Sequence, residues 1–155
     1  MADNVVEKPH LESKTLTEHI EYPGHEPRTE SAEYRHNRHI LIERLKLGCW
    51  ICGTNDKLET HHWFEWSLWN DLDEPRVLPA LQCFDVYGFG HHKEAQPVES
   101  PDDIRNLVVL CEEHHRGAEK GIHCLEHPVW LAQRAVKSGM SITETTAPGT
   151  ETAAS

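Results

Sequence analysis

Cys49 and Cys52 form a C-x-x-C pair, and Cys111 and His114 form a C-x-x-H pair. Each spacing lets a tight turn present two ligands to one tetrahedral zinc, and the two pairs together make a complete ligand set. A site of that kind contributes folding free energy directly, and without an ion these groups are hard to bury. The set leaves over His61, His62, Asn106 and His115. Tying a cysteine turn before one strand to the start of a helix after another brings the two histidines, the asparagine and the first helical turn around one cleft. Successive side chains of a strand face opposite ways, so His61 and His62 can hold two different jobs.

The elements that must position these groups are legible as patterns. KLETHHWF follows the C-x-x-C-G turn as a strand, and NLVVLC is a second, more apolar strand. EEHHRGAEKG reads as a short helix bounded by Gly121, and HPVWLAQRAVKSG as a closing helix with Pro128 in its first turn. Upstream, residues 31–47 read as a helix stopped by Gly48, with Tyr34, Leu41 and Leu45 on one face and Arg35, Arg38, His39 and Lys46 gathered beside it. In WFEWSLWNDLD, Trp63, Trp66, Trp69 and Leu72 recur every three residues as on a helix, and rings of that size are expected in the core. Residues 73–100 carry Pro75, Pro79, Gly88, Gly90 and Pro97 and read as an irregular excursion with one short helix or strand.

Composition bounds the setting. The 155 residues provide one compact domain, expected over 31–140, between an acidic unfolded segment 1–30 and an unfolded Ser/Thr-rich tail 141–155. No apolar stretch approaches the ~20 residues of a membrane span, and MADNVVEKPH is not a signal peptide, so a cytoplasmic location is expected. Five cysteines, two of them too close for a useful disulfide, fit a reduced compartment with thiols as ligands; Cys83 and Cys124 are expected to be plain thiols. The formal charge of −11 argues against a surface that grips nucleic acid everywhere. Much of it lies in the ends: sixteen acids against twelve bases remain in residues 34–140. Any contact with DNA must therefore be local.

C-x-x-C-G at 49–53, His61-His62, the DD-x-x-NL-x-x-LC segment ending at Cys111 and the pair His114-His115 together resemble the HNH endonucleases, or ββα-metal nucleases, in their zinc-stapled form. The resemblance runs from Cys49 to His115 with a long insertion. Where many such proteins read C-x-x-C-H, this chain reads Cys111-Glu-Glu-His114-His115, so His114 replaces a cysteine as fourth zinc ligand. The resemblance implies an α+β fold, a zinc-stapled ββα core with flanking helices. It also implies a catalytic Mg²⁺, Mn²⁺ or Ni²⁺ held by His61, with His62 as the general base. Asn106 would orient His62 or bind the metal or its waters, and His115 would bind the metal or the scissile phosphate. His91, His92 and His123 are expected to be ordinary exposed histidines, and Glu119 falls where some such nucleases place a further ligand.

The implied activity is metal-dependent hydrolysis of DNA phosphodiester bonds, with Arg35, Arg38, Lys46, Arg105 and Arg116 as candidate DNA contacts. EWSLWN, YGFG, HHRG and the GIH...HPVW ending are similar to small phage and prophage HNH proteins. That similarity implies a host-cytoplasmic protein working beside a packaging terminase. Two other functions are compatible with the same residues: a non-catalytic zinc scaffold, and an HNH nuclease acting on RNA.

Overall fold

A computed structural model of the chain describes His19, residues 24–92 and 96–127, Trp130 and Arg134, apart from the side chains of residues 91 and 92. All of these except His19 lie in the unit Tyr22–Glu144. Residues 1–18, 20–23 and 141–155, and most of the expected closing helix, lie outside the described residues.

Two strands form the centre. β1 (Leu58–His62) pairs antiparallel with β2 (Leu107–Cys111), with Leu58 opposite Cys111 and His62 opposite Leu107. Alternation sorts their side chains. Thr60 and His62 share a face with Leu107 and Val109, and this face packs toward the N-terminal helix: Leu107 and Val109 cluster with Leu41 and Ile104, and the Thr60 hydroxyl donates to the Tyr34 hydroxyl at 2.7 Å. Glu59 and His61 share the other face with Val108 and Leu110, which pack on Cys49, Ile51 and Trp130. Since β2 is buried on both faces, all five of its residues are apolar, which explains its unbroken hydrophobic run.

The N-terminal helix α1 (Ala32–His39) starts at Ser31, whose hydroxyl accepts from the Tyr34 amide at 2.9 Å. It continues as a π-turn over Ile40–Arg44, with Leu45 N–H donating to Ile40 O at 2.9 Å. A wider turn changes which residues share a face. Tyr34 and Leu41 face the core as expected, but Leu45 is 48% exposed. The three-residue recurrence of the tryptophans likewise belongs to a 3₁₀ helix over Trp66–Asp71, the geometry with three residues per turn. Trp63, Trp69 and Leu72 pack against Val77, Leu81 and Val98. The excursion is more ordered than its prolines imply: it holds α2 (Glu74–Cys83), with Pro75 tolerated in the first turn, and α3 (Phe89–His92).

β2 runs directly into α4 (Glu112–Arg116), so sheet and helix form a ββα unit in an α+β fold. α4 is shorter than expected, ending at Gly117 rather than Gly121. Gly121 closes a second turn: its N–H donates to Gly117 O at 2.8 Å, and a β-carbon there would lie 2.6 Å from that oxygen. That turn carries Ile122 N–H to His114 O at 3.0 Å and folds residue 123 back over α4.

Candidate metal centres and cleft

Cys49 and Cys52 sit on a tight turn in which Gly53 N–H donates to Cys49 O at 2.7 Å and Gly53 takes a left-handed φ of 75°. Trp50 N–H donates to Val109 O at 2.8 Å and ties that turn to β2. Cys111 ends β2 and His114 lies one turn into α4, so i,i+3 spacing presents both to the same point. The four donor atoms lie within 4.8 Å of one another, with Cys52 Sγ 3.9 Å from Cys111 Sγ and His114 Nδ1 3.9 Å from Cys49 Sγ. Zinc–sulfur bonds of about 2.3 Å in a tetrahedron require sulfur atoms roughly 3.8 Å apart, so the quartet fits that ion. Burial pushes the Cys111 thiol up to about 12, so this thiol becomes a thiolate when a cation draws off its proton. The quartet can hold a structural metal.

A second cluster lies on another face of α4. His61 from β1, His115 from α4 and His123 from the turn after Gly121 bring their ring nitrogens within 4.8 Å of one another. Burial first, then the positive charge available on His115, His123 and His62, pushes His61 down to about 3, which keeps its lone pair free. His115 Nδ1 donates to the Glu59 carboxylate at 2.6 Å, and Arg116 braces the other oxygen at 2.7 Å. That tautomer leaves Nε2 of His115 as the donor atom. Three imidazole nitrogens around one point suit a divalent cation and leave room for further ligands. His123 was expected to be an ordinary surface residue; the Gly121 turn makes it the third member.

His62 faces the other side of β1. Its Nε2 is 2.9 Å from Asp102 Oδ1, and its ring stacks on Tyr34 with centroids 5.6 Å apart. Burial lowers its proton affinity and the Arg28 charge adds to this, against the opposing pull of Asp102 and Glu65. Asp102 is buried, yet hydrogen bonds from Ser31 and His62 and the Arg28 charge outweigh desolvation and keep it ionised. Ser31 Oγ donates to its second oxygen at 2.7 Å, and Asn37 Nδ2 donates to its backbone oxygen at 2.8 Å. Neither Asp102 nor Arg28 was singled out from the sequence. The available signal for Asp102 was an acid four residues before Asn106 in the DD-x-x-NL segment.

Metal binding by Asn106, one of its expected alternatives, and DNA contact by Arg105 need correction. Asn106 is fully buried, and its side chain is committed: Oδ1 accepts from Phe64 N–H at 2.8 Å, and Nδ2 donates to Pro101 O at 2.7 Å and Phe64 O at 3.1 Å. It pins the chain just after His62 and is not placed to bind a metal. Arg105 is 4% exposed, and its guanidinium is locked by Asp103 at 2.7 Å and the carbonyls of Gln96 and Pro97. It is a structural residue, not a DNA contact. Arg35, Arg38 and Lys46 are exposed, while Arg116 is tied to Glu59. Glu119 is not a member of the histidine cluster.

The histidine cluster and His62 line one cleft of about 240 Å³ together with Arg28, Tyr34 and Trp66. The ββα unit thus carries, on different faces of its helix, a quartet of three cysteines and His114 that can hold a structural metal and a cluster of three histidines. Residues 49–117 match the family model HNH_2, described as HNH endonuclease. No curated protein and no solved structure matches the chain. Among the described residues, no helix is long and apolar enough to cross a membrane.

Proposed function

We propose that the protein is a metal-dependent endonuclease that hydrolyses DNA phosphodiester bonds and leaves 5′-phosphate and 3′-hydroxyl ends. The observation that carries this reading is one cleft lined by a three-imidazole cluster and by a buried histidine held by a carboxylate. His61, His115 and His123 would hold a divalent cation such as Mg²⁺, Mn²⁺ or Ni²⁺, which would supply positive charge against the negative charge developing on the phosphate. His62 is the general base. With Nε2–H donated to Asp102, its lone pair is on Nδ1, where it accepts a proton from water. Its lowered proton affinity keeps it neutral at cellular pH, and Asp102 stabilises the imidazolium that forms. Asn106 holds the backbone after His62, which limits how far the imidazole can drift.

A nucleic-acid substrate is supported by the family match, and local contact with DNA by the exposed Arg35 and Arg38 on α1, cations on an otherwise acidic chain. Work beside a phage packaging terminase in the host cytoplasm rests on the motif similarity to small phage HNH proteins. Nicking of supercoiled plasmid at low salt with each cation, by wild type and by a folded, zinc-loaded His62→Ala protein, tests the reading. Loss of metal-dependent nicking in the variant, by about 10²- to 10⁴-fold, is expected. Equal nicking by both proteins would remove His62 as the base, and silence of both would favour a scaffold. Labelled duplex DNA, single-stranded DNA and RNA run side by side separate DNA from RNA as substrate.

A further inference from the structure

Arg28 lies twenty-one residues before the matched HNH segment, yet it lines the cleft. Its Nη2 donates to Asp102 Oδ1 at 2.9 Å and lies 3.4 Å from His62 Nε2. Tyr34 and Trp66 hold the guanidinium by their faces, with ring centroids 5.2 and 5.1 Å from Cζ. Ring faces orient the plane without occupying its N–H groups. Among the described residues, Nη2 alone of the guanidinium nitrogens makes a hydrogen bond, so Nε and Nη1 keep their donors. The side chain is 22% exposed, against 9% for its Asp102 partner, and opens on the cleft. Among the described residues that line the cleft, it is the one Lys or Arg.

We propose that Arg28 is the phosphodiester-binding arginine of this cleft, supplied by residues 24–30 and aimed by Asp102, Tyr34 and Trp66. The proposal rests on the endonuclease reading of the same site. A planar fork with free donors beside the general base matches two oxygens of a phosphate, a geometry an ammonium group does not reproduce. It places one held cation in a cleft that Glu30 and Glu65 also line, so phosphate attraction depends on that position rather than on the acidic surface. A salt bridge that merely fastened the N-terminal segment would need no donors left over and no exposure to the cleft.

Fluorescence anisotropy on a labelled DNA duplex across a salt series tests this, with His62→Ala as the non-cleaving background and Arg28→Ala or Arg28→Lys added. Arg28→Ala should weaken binding about tenfold and reduce the slope of log K against log salt by about one. Arg28→Lys should restore the slope but only part of the affinity. Unchanged affinity and slope would overturn the proposal, as would no binding by the background protein. Affinity lost only in step with folded protein, by thermal melting of both variants, would make Arg28 structural. Plasmid nicking by the wild type separates the two readings. Nicking with Arg28-independent binding overturns Arg28 alone; Arg28-dependent binding without nicking overturns catalysis and leaves Arg28 in place.

Discussion

Adjacent residues of α4 serve two clusters of opposite character. His114 is buried and completes a set of three sulfurs and one nitrogen, while its neighbour His115 turns to a half-exposed set of three nitrogens. About 100° of helix rotation separates them. The quartet offers four donors, three of them sulfur, which would fill the positions of a tetrahedral ion and suit a structural one. The histidine set uses three donors and faces a cleft, so any cation there keeps positions for water and substrate. Ligand number and exposure, rather than the presence of metal-binding residues as such, distinguish the site that holds the fold from the site that could act.

The quartet should therefore fail through folding and the histidine set through function. Cys49→Ser removes a thiolate from the closed set, and structural zinc in small domains contributes about 10 kcal/mol or more of apparent binding free energy. The variant should lose stoichiometric zinc and its cooperative melt together. His115→Ala should keep both, by elemental analysis and circular dichroism, while losing metal-dependent nicking. An unfolded His115→Ala protein would erase the distinction between the two clusters.

Asn106 gives the next largest effect and lies on the folding side of the comparison despite its letter in the family motif. Asn106→Ala would leave the Phe64 amide and the Pro101 and Phe64 carbonyls without their partner. At ~1–3 kcal/mol for a buried unsatisfied group, the loss should be several kcal/mol, read as a lower denaturation midpoint with zinc retained. A variant as stable as wild type would show that the chain after His62 does not need this anchor.

A smaller effect tests how the histidine set is tuned. Glu59 fixes the tautomer of His115, and outer partners of this kind typically change metal affinity by roughly 10- to 100-fold. Glu59→Gln should weaken Co²⁺ or Ni²⁺ binding at the histidine set by that order in calorimetry and leave zinc in the quartet untouched. Equal affinity in the two proteins would mean that Glu59 serves Arg116 rather than the metal.

What could be read in the sequence followed from short-range geometry. C-x-x-C and C-x-x-H place their ligands through one turn each, and the alternation of β1 is enough to separate His61 from His62. His123, Asp102 and Arg28 were not legible because long-range folding places them. A glycine turn folds His123 back by eight residues, and Asp102 reaches His62 across forty. The π-turn that exposes Leu45 and the 3₁₀ geometry of Trp66–Asp71 depart from the 100° step assumed for a regular helix. Arg105 looked like a free cation because nothing local announces that Asp103 and two carbonyls enclose it.

The mildest expected effect is a pH slope that belongs to the histidine set. In the folded chain His61 is held down to about 3 from its ordinary 6.5, so between those values the unfolded chain binds more protons than the folded one. Stability must then rise with pH across that window and level off above it. Carboxylates with lowered proton affinity, Asp102 and Glu59 among them, add to the fall at the acid end, below their ordinary 3.8 and 4.5. Zinc release from the quartet on acidification has the same sign, so the wild-type slope alone assigns nothing. His61→Asn separates the contributions. Denaturant unfolding of zinc-loaded protein should show a shallower rise in stability from acid to neutral pH in the variant than in the wild type. An identical slope in both would mean that His61 is hydrated and titrates normally, and the histidine set would then lose the burial that distinguishes it from three surface histidines.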